Sequence, residues 1–335
     1  MRQISDPHRA DQLHKLFRHL DLMPYDLAHD CRKIGTSRAL TRVGIVVQRL
    51  TIGQFSDSAV LHAVRHLQLD QREGLELVAT RVPSSPGQFT ALRDGEIDIA
   101  ITSPDNVLLY ATTDQQPLGE RLDVRMLRSI DRGLGLALFS RPEFSSVTDL
   151  RGTNIGVDVV RSGFALLLFR MLERGGVSRD QATFVELGAT PKRLVAMEEN
   201  QASATILNAE SRVAAQESGM REWLTSADIS DNYLGTVLAV GAGFDPDLAQ
   251  TFVAIWTAAT EWLIDSPEDE VCSVLAAANE HLGTPGYVAL LRDPRFGLLL
   301  DPAVHAADLH ELCRIRQESD AYAPSLGAVA ALAHS

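Results

Sequence analysis

Cysteine is scarce in this sequence. Only three of the 335 residues are cysteines, Cys31, Cys272 and Cys313, and they lie far apart. None belongs to a C-x-x-C pair, so the pattern predicts neither a structural zinc site nor a disulfide framework. We therefore expect no bound metal ion and no cofactor.

Long apolar runs are also missing. Residues 1–40 mix charged and apolar side chains throughout, whereas a secretory signal needs an apolar core of about 7–15 residues. No segment approaches the roughly 18–20 apolar residues of a membrane span. We expect a cytoplasmic protein without a membrane span, or a periplasmic or cell-surface protein if translation starts elsewhere. The helical spacing of Leu13, Leu16, Phe17 and Leu20 predicts a short N-terminal helix.

Basic residues are outnumbered, with 31 against 44 acidic ones, which gives a formal charge of −13. This field repels phosphate backbones and anionic membranes, so nucleic acid is not expected as a partner. An anionic small ligand stays possible, because a local pocket can outweigh a distant field that salt screens within about 8–10 Å. The motifs G-x-S-x-G, H-E-x-x-H and G-x-x-x-x-G-K are absent, which disfavours the corresponding hydrolase and nucleotide-binding sites.

What the sequence does contain is an alternation of strand and helix patterns along a chain long enough for about two domains. Short β-branched runs alternate with amphipathic stretches, and a second series of the same kind starts near Ile155. This order predicts two mostly parallel sheets covered by helices. The predicted strands are 42–47, 75–79, 97–101, 134–139, 155–157, 184–187, 204–207 and 236–240.

Three segments carry a resemblance to a known family. Leu92–Ile101 (LRDGEIDIAI), Asp149–Val157 (DLRGTNIGV) and Glu186-Leu187-Gly188 occur in the order found in type 2 periplasmic solute-binding proteins. The sequence resembles most closely the subgroup that binds sulfonates, nitrate and thiamine precursors. The resemblance implies an α/β fold of two lobes, with mostly parallel sheets flanked by helices and a ligand cleft between the lobes. We expect residues 1–40 to form an N-terminal helical extension ahead of this fold, residues 41–136 plus 236–335 to form lobe 1, and residues 137–235 to form lobe 2.

Two functions follow from this resemblance. The first is binding of a small anionic or aromatic molecule in the interlobe cleft, as an ABC-transporter-type substrate-binding protein or a cytosolic homologue. An exported protein would have an ABC permease as its partner. The second is a cytosolic enzyme on the same fold, a lyase or biosynthetic enzyme such as a decarboxylase, desulfinase or thiamine-precursor-type synthase. No cysteine falls in a predicted cleft loop, which disfavours a cysteine-dependent desulfinase.

Candidate ligand-binding residues follow from the rule that α/β sheets bind ligands beyond the carboxyl ends of their strands. The residues selected in this way are polar side chains and glycines at the starts of the following helices. They are Gln48, Arg49, Thr51, Ser84, Ser85, Gln88, Ser103, Asp105, Asn106, Asp158, Arg161, Ser162, Gly163, Gly188, Thr190 and Asn208.

Two of these positions are open to competing interpretations. Ser162 and Gly163 begin a helix whose free N–H groups, with Arg161 beside them, could hold a sulfonate or carboxylate. Alternatively, Ser162 only caps its own helix. Arg49 could clamp an anion through two hydrogen bonds, although a solvated surface arginine is the more common outcome.

The remaining candidates concern proton transfer and packing. If the protein is an enzyme, His62, Asp57 or Glu210 could act as general acid or base. His62 and His66 share one helix face, but a metal site would need a third ligand that the sequence does not show. We expect Asp98 to fix a turn and Trp256 and Trp262 to pack in the interior.

Overall fold

The computed structural model describes residues 47–332 of the chain. Its strands are β1 (Gln48–Gln54), β2 (Leu75–Arg81), β3 (Ile99–Thr102), β4 (Val124–Asp131), β5 (Ala137–Ser140), β6 (Asn154–Val157), β7 (Thr183–Glu186), β8 (Ala204–Leu207), β9 (Arg221–Thr225) and β10 (Thr236–Gly241). Its helices are α1 (Ala59–Leu67), α2 (Leu69–Arg72), α3 (Ser85–Arg93), α4 (Pro104–Thr112), α5 (Gly163–Arg174), α6 (Thr190–Glu198), α7 (Ala209–Glu217), α8 (Ser226–Ile229), α9 (Pro246–Asp265), α10 (Glu268–Ala278), α11 (Pro285–Arg292), α12 (Ala306–Glu318) and α13 (Leu326–Ala330). The N-terminal helix predicted within residues 7–21 lies outside the described residues.

The strands form two five-stranded sheets, each flanked by helices. The first, which we call lobe 1 with its helices, has the order β2-β1-β3-β10-β4; the second, lobe 2, has the order β7-β6-β8-β5-β9. In each sheet three strands pair in parallel, and one strand, β10 or β5, runs antiparallel to both its neighbours. The predicted α/β class with two sheets is confirmed. The predicted domain boundaries stay a prediction, since the first of them falls outside the described residues.

The first strand differs from its prediction. Of the run 42–47 that was predicted as a strand, residues 42–46 lie outside the described residues, and β1 extends from Gln48 to Gln54. The reason lies in burial: Leu50 is 2% exposed and Ile52 is 0% exposed, and both belong to the core of lobe 1. Polar residues beside Leu50 and Ile52 interrupt the apolar pattern, so the strand cannot be recognised from the sequence. The carboxyl end of this strand consequently lies at Gln54.

Two strands, β4 and β9, are absent from the sequence prediction. In β4 the apolar pattern is interrupted by charged residues that are nevertheless buried, notably Arg128 and Asp131. The Arg128 guanidinium is satisfied by carbonyl oxygens, including those of Ser129 and Leu299. From sequence alone such an arginine is predicted to lie on the surface, because arginine residues in proteins are mostly exposed.

Helix α5 shows why local sequence is sufficient for most of the other elements. Ser162 is its N-cap, and the hydroxyl accepts a hydrogen bond from the N–H of Ala165. The helix ends at Gly175, as predicted. Its apolar stripe, which includes Leu167, Leu168 and Met171, is completely buried in a cluster that contains residues of both lobes.

The chain crosses between the lobes in two segments, residues 132–136 and 226–235. After β10 the remaining chain returns to lobe 1, and residues 298–332, which we call the C-terminal segment, run along the outer edge of β4. There the N–H of Leu299 donates to the carbonyl of Ile130 at 2.8 Å, and the N–H of Met126 donates to that of Leu332 at 2.8 Å. Within residues 47–332 no helix has the length and apolar character needed to cross a membrane.

Candidate functional site

The boundary between the lobes is where the carboxyl ends of the parallel strands meet. Lobe 1 contributes the loops after β1, β2 and β3, and lobe 2 contributes those after β6, β7 and β8. Both crossing segments also run through this region. The boundary is therefore the part of the molecule in which polar side chains from the two lobes can face one another.

Tyr233 occupies one part of this boundary. It lies in the second crossing segment, and its side chain is 1% exposed. Burial raises the pKa of its hydroxyl well above the ordinary value, and the negative charges of Asp105, Asp131 and Asp158 raise it further. Because Asp105 and Asp131 belong to lobe 1 and Asp158 to lobe 2, carboxylates of both lobes act on the pKa of this one phenol.

Tyr287 of α11 marks a second part of the boundary. Burial raises the pKa of this phenol too, and the charges of Glu210, Asp131 and Asp57 add to the effect. Glu210 lies in the first turn of α7 in lobe 2, whereas Asp57 follows β1 in lobe 1. Asp57 and Glu210, two of the three residues predicted for proton transfer, thus both act on the pKa of this phenol.

Asp131 connects the two tyrosine clusters. It is 3% exposed and ends β4, directly before the first crossing segment. Its Oδ1 accepts hydrogen bonds from the N–H groups of Gly133 and Leu134, both at 2.8 Å. Burial raises the pKa of this carboxyl, and the hydrogen bonds offset part of that rise.

The beginning of α5 faces lobe 1 directly. The Ser162 hydroxyl donates to Oδ1 of Asp158 at 2.5 Å while it caps the helix. A Cβ placed on Gly163 would lie 2.6 Å from the Cβ of Asp105, so the lobes touch here. Two carboxylates therefore stand at the helix start where the sequence predicts a ligand anion, and Arg161 is exposed beside them.

Asp105 is itself paired with a residue that the sequence analysis did not select. Its Oδ2 lies 2.6 Å from Nη1 of Arg316, and the side chains are 4% and 3% exposed. Arg316 belongs to α12, 211 residues further along the chain. No local motif predicts this pairing, since only the fold brings Asp105 and Arg316 together.

Arg193 of α6 is a second buried arginine near the boundary. Its guanidinium donates to the carbonyls of Gly188 and Ile206 and to the hydroxyl of Thr190, at 2.6, 3.0 and 3.0 Å. Burial lowers its pKa, and the charge of Asp158 acts in the opposite direction. Gly188 and Thr190 thus lie at the predicted edge, held by this side chain, and Thr190 is the first residue of α6 rather than its cap.

The other predicted residues of lobe 1 have visible structural partners. Gln88 is 0% exposed, and its Nε2 donates to the carbonyls of Gly53 and Ile101, which joins β1 to β3. Its Oε1 has no hydrogen-bond partner. Ser84 and Ser103 are N-caps, Ser85 starts α3, and Asn106 donates to the hydroxyl of Thr102. In lobe 2, Asn208 is the N-cap of α7.

The prediction that Gln48, Arg49 and Thr51 follow the first strand is wrong. They form the first part of β1, at the end of the sheet opposite its carboxyl edge, because the strand starts later than expected. Gln48 and Arg49 are exposed, and the N–H of Thr51 donates to Oδ2 of Asp98 at 2.7 Å. Asp98 thus has a structural partner, but that partner lies in β1 and not in the turn that Asp98 was predicted to fix. The residue that ends β1 near the boundary is Gln54.

His62 lies on a different face of lobe 1. It lines a groove of about 510 Å³ between α1 and α10, together with Arg65, His66 and Ser273. Its Nε2 is buried without a partner, and burial lowers the pKa of the imidazole, which keeps the ring neutral. His66 packs against Trp262 with ring centroids 5.2 Å apart, and Trp256 is 1% exposed, so both tryptophans pack as predicted.

Within residues 47–332 no group of three or more His, Cys, Asp or Glu side chains is arranged to hold a metal ion. Cys313 of α12 lies beside the Arg316–Asp105 pair, although the sequence placed no cysteine near the boundary. Burial raises the pKa of its thiol, with a smaller opposing effect from Arg316. The neutral thiol is the form that does not act as a nucleophile.

Sequence comparison assigns the chain to a family. The NMT1/THI5-like family matches residues 71–270, more than half of the chain. The protein belongs to the NMT1/THI5-like family. The matched range starts before β2 and ends in α10, so it includes all of lobe 2 and most of lobe 1. Comparison with curated protein sequences gives no match.

Solved structures show the same fold as this NMT1/THI5-like chain. The alkanesulfonate-binding protein SsuA from Xanthomonas axonopodis pv. citri, bound to MOPS, is 19% identical; the match covers 85% of this chain and 97% of that one, with a TM-score of 0.68. The periplasmic nitrate-binding protein NrtA from Synechocystis PCC 6803 is 11% identical over 85% of each chain, with a TM-score of 0.70. A cysteine-to-serine mutant of DszB in complex with biphenyl-2-sulfinic acid is 17% identical over 85% of this chain and 99% of that one, with a TM-score of 0.58. At these identities the similarity establishes the two-lobed fold.

Proposed function

We propose that this protein binds a small organic molecule between its two lobes and acts as a substrate-binding protein. The observation that carries the proposal is the contact between the lobes at Gly163 and Asp105, near which carboxylates of both lobes act on the pKa of Tyr233. Small-molecule sites usually combine a few polar groups with apolar and aromatic walls. The fold supports the proposal, because SsuA and NrtA share it and are named for the ligands they bind.

The charges at the boundary favour a ligand with hydrogen-bond donors or a positive charge. Five carboxylates, those of Asp57, Asp105, Asp131, Asp158 and Glu210, act on the two phenols. Two of these carboxylates are paired with arginines, Asp105 with Arg316 and Asp57 with Arg81, whereas Arg193 is held by neutral acceptors. The anionic ligand expected from the sequence is less favoured by this balance, whereas an aromatic ligand could pack on the tyrosine rings.

A role in uptake would give the protein an ABC permease as its partner and a place outside the cytoplasm. A protein with a similar structure supports this part of the proposal, since it is the ligand-binding component of an ABC-type import system from Staphylococcus aureus. The cytoplasmic location expected from residues 1–40 is the alternative. Fractionation of cells that express the untagged protein separates the two.

Replacing Glu210 by Gln tests the proposed site. We expect the purified wild-type protein to release a small molecule on denaturation, detected by mass spectrometry, and Glu210→Gln to retain at least about tenfold less. The reason is that a hydrogen bond to a charged group contributes about 1.5–3 kcal/mol. A metabolite extract added back should raise the melting temperature of the wild type more than that of the variant.

Glu217→Gln provides the matched control, because Glu217 lies at the other end of α7 and is exposed. It should retain the wild-type amount of ligand. Equal retention by both variants, or no small molecule and no thermal shift with any extract fraction, would exclude the proposed site.

An enzyme on the same fold is the second candidate. The observation in its favour is that carboxylates of both lobes, Asp57 and Glu210, act on the pKa of Tyr287, and carboxylates can serve in proton transfer. Cys313 does not favour a cysteine-dependent desulfinase, since burial keeps its thiol neutral. Incubation with the recovered molecule distinguishes the candidates: a binder returns it unchanged, whereas an enzyme yields a new mass that Asp57→Asn and Glu210→Gln suppress.

A further inference from the structure

Helix α12 is tied to lobe 1 and to the first crossing segment by buried charges. Arg316 of α12 pairs with Asp105 of lobe 1 at 2.6 Å. Asp308, at the start of α12, pairs with Arg132 of the first crossing segment at 2.5 Å, and the Asp308 side chain is 2% exposed. Both contacts join elements that lie far apart in sequence, so they form only in the folded protein.

The same helix is also tied to lobe 2 and to the second crossing segment. Glu318 pairs with Arg170 of α5 at 2.9 Å. The carbonyl of Ser319, the residue after α12, accepts a hydrogen bond from Arg179 at 3.4 Å. Burial raises the pKa of Glu311, but hydrogen bonds from Arg314 and from Ser230 of the second crossing segment lower it overall. One helix therefore contacts both lobes and both connections between them.

The Arg316–Asp105 pair lies where the two lobes meet. Gly163 of lobe 2 packs directly on the Asp105 side chain, so a movement of lobe 2 away from lobe 1 would open this contact. Such a movement would also bring water to a charge pair that is now almost completely buried. Removing one partner of a buried ion pair strongly destabilises the folded protein, because the other charge stays buried without a partner.

From this arrangement we propose that α12 is a latch that holds the two lobes together through the chain's own charges, with Arg316–Asp105 as its central contact. Lobe closure is then set in part by the protein itself, and α12 must shift before the lobes can separate. The purpose of the latch rests on the proposed function, because a ligand would enter between the lobes. Its test needs no ligand, so the latch and the binding function can fail separately.

Arg316→Met tests the latch, because it removes the charge and keeps the length of the side chain. The first readout is alkylation of Cys313 by iodoacetamide, followed by peptide mass spectrometry, which separates Cys313 from Cys31 and Cys272. Cys313 is 1% exposed on α12 and reacts only when the helix lifts away. The second readout is amide hydrogen exchange at 163–167 in the first turns of α5. We expect both rates to rise by about a hundredfold.

Gln317→Met is the matched control, since Gln317 is exposed on the same helix directly beside Arg316. It should change neither rate by more than a few-fold. If Arg316→Met fails to fold, the double variant Asp105→Asn with Arg316→Met removes both charges and leaves no buried charge unpaired. The alkylation and exchange rates are then measured in the double variant, in which we expect the same rise.

Three results would overturn the proposal. One is equal rates in the Arg316 and Gln317 variants. Another is faster alkylation of Cys313 with unchanged exchange at 163–167, because α12 would then move without releasing lobe 2. The third is failure of both the single and the double variant to fold, which would make the pair a requirement of the fold rather than a latch between lobes.

Discussion

At Gly163 a hydrogen atom stands where any other residue would place a methyl group against Asp105. The distance from such a methyl carbon to the Asp105 Cβ would be 2.6 Å, and the backbone of Gly163 is otherwise normal for a helix. The glycine is therefore required by the approach of the two lobes and not by backbone conformation. A residue without a side chain thus sets how closely the lobes can meet.

Gly163→Ala should lower the free energy of unfolding by about 1–3 kcal/mol, because the added methyl group must displace Asp105. Gly286→Ala is the control: Gly286 lies at a similar place near the start of α11, and a Cβ there would meet nothing within 4 Å. We expect the control to be neutral or more stable by up to about 1 kcal/mol. Urea denaturation measures both, and equal effects would show that Gly163 carries no interlobe contact.

Among single residues, the sequence identified positions better than partners. Asp105, Asp158, Gly188 and Asn208 lie beyond strand ends, as expected, because the end of a buried strand can be located from local pattern. Their ligand-binding role stays a prediction. Arg316 and Tyr233 could not be found in this way, since their place at the boundary depends on contacts between distant parts of the chain.

At the scale of elements, helix starts follow the expected chemistry. Ser58, Ser84, Ser103, Ser162 and Asn208 all accept a hydrogen bond from the first turn of the helix that follows. Strands were less predictable. β1 was misplaced and β4 overlooked, because tertiary contacts bury charged and polar residues that local pattern assigns to the surface.

Ser162→Ala should cost more stability than Ser84→Ala, although both serines are N-caps. Loss of the cap costs about 1 kcal/mol in each case. Ser162 also donates to Asp158, and the variant leaves that carboxylate with one hydrogen bond fewer, which adds about 1 kcal/mol or more. Thermal unfolding of both variants measures the difference. An equal loss would mean that the Ser162–Asp158 contact contributes nothing to stability.

For the whole molecule, the order of strands and helices predicted two sheets, and the structure confirms them. How the lobes are joined could not be predicted. The contacts between the lobes depend on α12, on the two crossing segments and on Asp131. The residues that make these contacts belong to no sequence motif. Long-range ion pairs carry no signal in a single sequence.

The raised pKa of Asp131 makes the stability of the region between the lobes depend on pH. Burial raises this pKa, so between the ordinary value near 4 and the raised value the folded protein binds more protons than the unfolded chain. Its contribution to stability therefore decreases as pH rises through that interval. Asp131→Asn keeps an acceptor oxygen for Gly133 and Leu134 but cannot ionise. The free energy of unfolding of the variant, relative to wild type, should increase as pH is raised from about 4 to 8.

Urea denaturation at several pH values measures this difference, and Asp231→Asn, at an exposed position in the second crossing segment, serves as the control. The control should show no systematic trend relative to wild type. A difference for Asp131→Asn that stays constant over the whole pH range would contradict the expected role of the buried carboxyl.

The C-terminal segment has one more consequence, which concerns other copies of the chain. β4 is the last strand of its sheet, and its outer edge donates to and accepts from residues 299–332 instead of facing solvent. An uncovered strand of this length offers unpaired amides and carbonyls to any neighbouring polypeptide, which is how sheet proteins begin to aggregate. The C-terminal segment thus covers the edge of the sheet, and a molecule that loses it in synthesis or by proteolysis exposes a strand to which other polypeptides can bind.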